Sequence, residues 1–204
     1  MNALIVHYTL FGHTHFLAEA IEKGAAEVEG AVVEMRRVPE TLSWDEIECR
    51  GAGKFQESFQ TIPICSIEDL KSAGVIFFGA PTYLGCMCAQ MQQFLDSLGT
   101  LWKEGILVGK VGSAFTASAS QHGGQEMALI GIHVAMLHLG LVVVGLPYTF
   151  QGQMRIDEIT GSSPYGSTTI TGQNGERKPS QNELEAAYFQ GKHATMIASK
   201  LAKS

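Results

Sequence analysis

Short β-type runs, most of them continuously apolar, recur along the chain with gapped apolar patterns between them: Ala3 to Tyr8, Ala31 to Arg37, Val75 to Ala80, Val111 to Ala117 and Leu141 to Leu146. Apolar runs without alternation suit strands buried on both faces, as in a parallel sheet whose crossovers are helices. Between the first two runs, Phe16, Leu17, Ala20, Ile21 and Ala25 fall at the spacing of one helical face, and Gly30 marks the turn into the second strand. Gln90 to Leu98 and Gln125 to Leu139 repeat that spacing. Ser66 with Asp69 forms an acidic variant of the capping box, and Ser180 with Glu183 forms the box itself, so helices are expected to begin at both serines. The pattern predicts an α/β fold in which five parallel strands alternate with five helices.

Two stretches break the alternation. Pro39 to Pro63 is polar and contains Gly51-Ala52-Gly53; Pro147 to Pro179 carries Gly152, Gly161, Pro164, Gly166, Gly172 and Gly175. Loops of that length are usually functional or cover another subunit. No repeat, low-complexity tract or linker divides the chain, so one domain over residues 1–204 is expected, with insertions at about 39–63 and 147–179.

Composition then narrows the partners. The 204 residues are 45% hydrophobic and 17% charged, as in an ordinary globular domain. With 14 basic against 20 acidic residues the formal net charge is −6, and no Lys or Arg cluster is present to neutralise a row of phosphates, which argues against nucleic acid. Met1 to Tyr8 lacks a basic n-region, and no stretch approaches the roughly 18 apolar residues of a membrane span, so a cytoplasmic protein with no transmembrane segment is expected. Cys49, Cys65, Cys86 and Cys88 are too few to staple a fold of this size and are expected to be reduced thiols. His7, His15, His122, His133 and His193 are too scattered for a metal site.

In an open α/β sheet, ligands bind beyond the carboxyl ends of the strands. After the first strand comes Thr9-Leu10-Phe11-Gly12-His13-Thr14, whose hydroxyls, glycine and helix start offer donors to a phosphate without a cation. The same residues would also serve as a plain capped helix start. After the third strand, Gly79-Ala80-Pro81-Thr82-Tyr83-Leu84-Gly85 frees the backbone to approach a flat ligand and supplies an aromatic ring. After the fourth, Thr116-Ala117-Ser118-Ala119-Ser120-Gln121-His122-Gly123-Gly124 is small-sided and hydroxyl-rich. Three such loops at successive strand ends converge on one site. Neither Gly-x-x-x-x-Gly-Lys nor Gly-x-Gly-x-x-Gly occurs, against triphosphate hydrolysis and the common dinucleotide fold.

Thr9 to Thr14, Gly79 to Gly85 with Met87-Cys88-Ala89-Gln90-Met91 and Phe94-Leu95-Asp96, Gly123-Gly124-Gln125-Glu126, and Ser163-Pro164-Tyr165-Gly166-Ser167-Thr168-Thr169-Ile170 together resemble the WrbA family, flavodoxin-like, FMN-dependent NAD(P)H:quinone oxidoreductases. The similarity runs over nearly the whole chain, including Arg37-Val38-Pro39-Glu40-Thr41 and the helix after Pro179-Ser180. It implies a three-layer sandwich with strand order 2-1-3-4-5 and one non-covalent FMN at the switch point. Its phosphate would lie on Thr9, Leu10, Phe11, Gly12, His13 and Thr14. The isoalloxazine would lie between Pro81, Thr82, Tyr83, Leu84 and Gly85 and the loop of Thr116, Ala117, Ser118, Ala119, Ser120 and Gln121. The resemblance further implies a homotetramer, a dimer of dimers, with sites completed by a neighbouring chain. Phe11 would lie near the nicotinamide nucleotide, Trp102 would wall the substrate, and His138 would reach the flavin region as the catalytic residue, with Tyr148 nearby.

The sequence departs from the family pattern at Tyr83, where an arginine is common, at Cys86 for an asparagine, at Thr14 for an apolar residue, and at Ala119 for a glycine in a loop one residue longer. The implied reaction is two-electron reduction of quinones to hydroquinones by NADH or NADPH. Donor and acceptor would share one face of one ring, which gives ping-pong kinetics. A flavodoxin-type electron carrier docking on redox proteins is the alternative, but it would need neither insertion, nor Trp102 and His138. A response-regulator receiver would need an acidic pair where Thr9 stands and an aspartate where Pro81 stands.

Overall fold

The computed structural model describes residues 1–203. In chain order the elements are β1 (Asn2–His7), α1 (His13–Ala26), β2 (Val32–Arg37), α2 (Trp44–Cys49), α3 (Gly53–Phe59), α4 (Ile67–Ser72), β3 (Val75–Tyr83), β4 (Cys86–Met87), α5 (Ala89–Asp96), α6 (Gly99–Lys103), β5 (Val111–Ser118), α7 (Gln125–His138), β6 (Val142–Val143), β7 (Ser167–Ile170) and α8 (Gln181–Leu201). The parallel path runs β2-β1-β3-β5-β6, which is 2-1-3-4-5 when the parallel strands on it are counted in turn. None of the described helices is long and apolar enough to cross a membrane.

Alternation along each strand builds the layers. Leu4, Val6, Ile76 and Phe78 point to the face covered by α4, α5, α6 and α7. Ala3, Ile5, Phe77 and Phe115 point to the face covered by α1 and α8. On that second face Gly24 and Gly191 let the two helices meet backbone to backbone, since a Cβ on Gly24 would stand 1.9 Å from the Tyr188 carbonyl oxygen. Both expected capping boxes form, at Ser66/Asp69 and Ser180/Glu183.

The count of five strands and five helices is corrected to seven strands and eight helices among the described residues. The expected strand Leu141–Leu146 is cut to Val142–Val143, which pairs with Val111 and Gly112 only. There the chain leaves the sheet, because Gly145 passes so close to Pro164 that its Cβ would lie 2.1 Å from that carbonyl oxygen. It returns as β7, which takes the rest of the same edge opposite Phe115–Ser118. The second insertion therefore interrupts the last strand rather than following it. Strand β7 reads as polar in sequence yet is buried, with both of its threonine hydroxyls bonded: Thr168 Oγ1 donates to Gln125 (2.6 Å) and Thr169 Oγ1 to Glu183 (2.8 Å). Pro39 to Pro63 is not a plain loop either: it holds α2, with its own Ser43/Glu46 capping box, and α3.

Candidate functional site

The carboxyl ends of β1, β3, β5 and β7 and the first insertion enclose a cleft of about 690 Å³, larger than two other grooves of about 420 and 400 Å³. Its walls are made by Tyr8 to Phe11, His13 and Thr14 after β1, Pro81 to Tyr83 and Cys88 to Gln90 after β3, and Ala117 to Ala119 after β5. Thr171 to Gly175 beyond β7, and Leu42, Arg50, Gly51 and Phe55 from the insertion, complete it.

The loop after β1 is folded as an anion cradle. Gly12 caps α1 at φ +96°, a left-handed conformation that glycine takes without strain. The Gly12 N–H donates to Thr9 Oγ1 (3.0 Å), which closes the loop and leaves the Thr9 hydroxyl proton free to donate. The helical ladder begins with Phe16 N–H on the Gly12 carbonyl, so the N–H groups of His13, Thr14 and His15 precede it. Thr14 is 1% exposed, and its Oγ1 has no partner in the protein. Buried polar atoms are nearly always bonded, so this orphan marks a place for a ligand atom. Burial lowers the His13 pKa, so the ring is neutral at pH 7, and its Nε2–H donates to the Gly175 carbonyl (3.1 Å). Cradle and distant lip are joined by that bond.

The first insertion is pinned over the cleft by two side chains. Gln56 Nε2 donates to the carbonyls of Thr9 (2.7 Å) and Leu10 (3.0 Å). Glu40 accepts from the Tyr8 hydroxyl (2.8 Å), from Gln90 (3.1 Å), and from the Thr41 and Leu42 N–H groups. Burial, then the Glu40 bond, raises the Tyr8 pKa, so its phenol keeps its proton. Phe55 meets Phe11 edge to face at 6.1 Å. Cys88 lines the cleft, but burial pushes it up to about 11, so it is a neutral thiol rather than a nucleophilic thiolate.

Of the residues singled out in sequence for the cofactor, Thr9, Leu10, Phe11, His13, Thr14, Pro81, Thr82, Tyr83, Ala117, Ser118 and Ala119 line the cleft together. Gly12 stands behind the cradle. Leu84 and Gly85 form the tip of the β3–β4 hairpin, where Gly85 lies against Gly124 at the start of α7. Thr116 is buried and its hydroxyl donates to the Ala80 carbonyl (2.6 Å), tying β5 to β3. Ser120 and Gln121 are exposed beyond the lining. Trp102 and His138 meet in the separate groove of about 400 Å³ between α5, α6 and α7, and Tyr148 is exposed near neither. Tyr8, Arg50, Phe55, Gln90 and the Thr171–Gly175 lip were not among the sequence candidates. Gln90 in the Met87 to Met91 motif and Glu40 in the Arg37 to Thr41 motif were the sequence signals pointing toward them.

Comparison with known proteins agrees with this geometry. A family model described as NADPH-dependent FMN reductase matches residues 9–153. The chain is 56% identical over 201 residues to a protein of Geotalea daltonii named NAD(P)H dehydrogenase (quinone), covering 98% of each. A protein of the same name from Geobacter sulfurreducens is 55% identical over 201 residues, 98% of this chain and 99% of the relative. In fold, the chain is similar to a flavodoxin, WrbA-like protein from Agrobacterium tumefaciens, with a TM-score of 0.68 at 23% identity over 98% of each chain.

Proposed function

The chain belongs to the NADPH-dependent FMN reductase family, among relatives named NAD(P)H dehydrogenase (quinone), and from that premise we propose how its own residues carry out FMN-dependent reduction of quinones by NADH or NADPH. The observation that carries the reading is the buried, unpartnered Thr14 hydroxyl at the start of α1, in a cradle with no lysine or arginine. It fits the phosphate of FMN, which the helix N-terminus and the free N–H groups would bind through neutral donors. Bound FMN supplies hydride acceptance from a nicotinamide and two-electron delivery to a quinone.

The chain supplies the rest. Pro81, Thr82 and Tyr83 on one wall and Ala117 to Ala119 on the other would hold the flavin ring. Tyr8 and Cys88, both protonated, line the same cleft without adding charge. Phe11, packed on Phe55, would lie near the nicotinamide nucleotide. Donor and acceptor would use the site in turn, which would give parallel lines in double-reciprocal plots. Trp102, His138 and Tyr148 do not line the cleft of their own chain, and in a homotetramer they would act on a neighbour's site, with Trp102 as a wall and His138 as the group that meets the quinone.

The test is purification with an absorbance spectrum, then anaerobic titration with NADH followed by benzoquinone. Flavin bleaching by about one equivalent of NADH and full recovery with about one of benzoquinone is expected from the two-electron stoichiometry. Slow bleaching by either nicotinamide, with rapid single-electron exchange to redox proteins, would favour the carrier instead.

A further inference from the structure

Arg50 is the only arginine or lysine among the described residues lining the cleft, and no aspartate or glutamate lines it. It follows α2 directly, a favourable place for a cation at a helix C-terminus, and Gly51 turns the chain after it at φ +72°. Its guanidinium makes one hydrogen bond, a long one from Nη1 to the Tyr83 hydroxyl at 3.5 Å. The rest of its donor fork is unspent. Tyr83 itself is largely exposed, so the pair sits on the rim rather than in the depth of the cleft.

Two anionic groups must use this cleft if the enzyme works as described above: a resident phosphate and the diphosphate of the nicotinamide donor. The first has the neutral cradle at α1. The second must arrive and leave past a protein of formal net charge −6, and a diphosphate is best matched by a planar, permanently charged donor fork. We propose that Arg50 recognises the diphosphate of the nicotinamide dinucleotide, with Tyr83 as the positioning residue that keeps the guanidinium over the rim until the donor binds. The assignment rests on the quinone-reductase reading. The insertion thereby returns a cation to the neighbourhood of position 83, where the chain carries tyrosine.

ADP-ribose carries the diphosphate without the nicotinamide, so titrating it into the oxidised, FMN-loaded protein reads the contact without turnover. R50Q is expected to weaken ADP-ribose about ten- to hundredfold, the usual effect of losing hydrogen bonds to a charged group. R50K should recover part of the loss, keeping the charge without the fork. Higher ionic strength should weaken wild-type binding more than R50Q binding. FMN affinity and the kcat/KM for benzoquinone should not change. Equal ADP-ribose affinity in wild type and R50Q overturns the proposal. So does an equal loss of FMN and ADP-ribose affinity, which would assign Arg50 to the cofactor. A wild-type protein that binds FMN but neither binds ADP-ribose nor is reduced by NADH or NADPH overturns the quinone-reductase reading as well, whereas insensitivity to R50Q alone removes only Arg50.

Discussion

Thr14 lies in the first turn of α1, buried and with no hydrogen-bond partner for its hydroxyl. Leaving that group unpaired costs about 1–3 kcal/mol, which a phosphate oxygen would recover. Thr14→Val keeps the shape and removes the hydroxyl, so the cofactor-free variant should be at least as stable as wild type. FMN affinity should fall about tenfold or more while riboflavin affinity holds, as fluorescence titrations of both flavins will tell; equal losses for the two would move the phosphate elsewhere. His7, the last residue of β1, is buried as well. Burial first, and the nearby His15 second, hold its pKa down at about 3, with the two rings joined at 3.1 Å. Folded His7 is therefore neutral where the unfolded chain takes up a proton, below about pH 6.5. Its contribution is complete above that value and is lost as pH falls toward about 3, at up to ~1.4 kcal/mol per pH unit. Denaturant midpoints measured between pH 7 and 5 should fall more steeply for wild type than for His7→Asn. Parallel curves would mean that His7 takes up its proton without unfolding.

At the scale of elements, α8 is the clamp that shapes the cleft's far lip. Fully buried Glu183 accepts from the N–H groups of Gly161, Ile170 and Ser180, from Thr169 Oγ1, and from Arg177 Nη1 at 2.8 Å. Arg177 in turn donates to the Ile170 and Ile159 carbonyls. The lip Thr171 to Gly175 lies between these anchors. Glu183→Gln turns an acceptor into a donor facing donors and leaves Arg177 without its buried counter-charge, at roughly 3–5 kcal/mol. Thermal melts should show that loss, and FMN affinity should drop with it as the lip loosens. A Glu183→Gln protein melting with wild type would show the clamp to be incidental. The same element explains what the sequence made legible. Strands β1, β3 and β5 stand out because both faces are covered and most positions are apolar, α1 and α5 because one face is periodic, and α7 because it is mostly apolar along its whole length. Strand β7 is illegible in Ser167 to Ile170, because its burial depends on Glu183 and Gln125 reaching it from elsewhere in the chain. Helices α2, α3 and α6 are too short to show a period. The cradle and the two walls were legible as strand ends, whereas Arg50 and the lip come from insertions whose placement no local pattern encodes.

For the whole molecule, the outside of α7 poses the remaining question. This helix is apolar on nearly all sides, with Ala128, Leu129, Ile132 and Met136 buried in the chain's own core. Met127, Val134 and Leu137 face outward and are exposed, beside a Trp102 that is 61% exposed. A helix apolar all round is normally covered on all sides, so a second surface is wanted against this one. Closed symmetry would give every copy the same cover. The groove holding Trp102 and His138 lies on that outward side, so association would carry both residues toward a cleft on a neighbouring chain that its own Trp102 and His138 do not line. Activity should therefore depend on assembly. Specific activity is expected to fall on dilution in step with dissociation, followed by sedimentation velocity at the same concentrations, while bound FMN stays constant. Trp102→Ala and His138→Ala should change the quinone kinetics and leave FMN affinity near wild type. Replacing Leu137 by Glu, on the outward face of α7, should produce smaller species with FMN bound and quinone turnover lost. A monomer of full activity would mean that every site is complete within one chain, and that Trp102 and His138 serve packing alone.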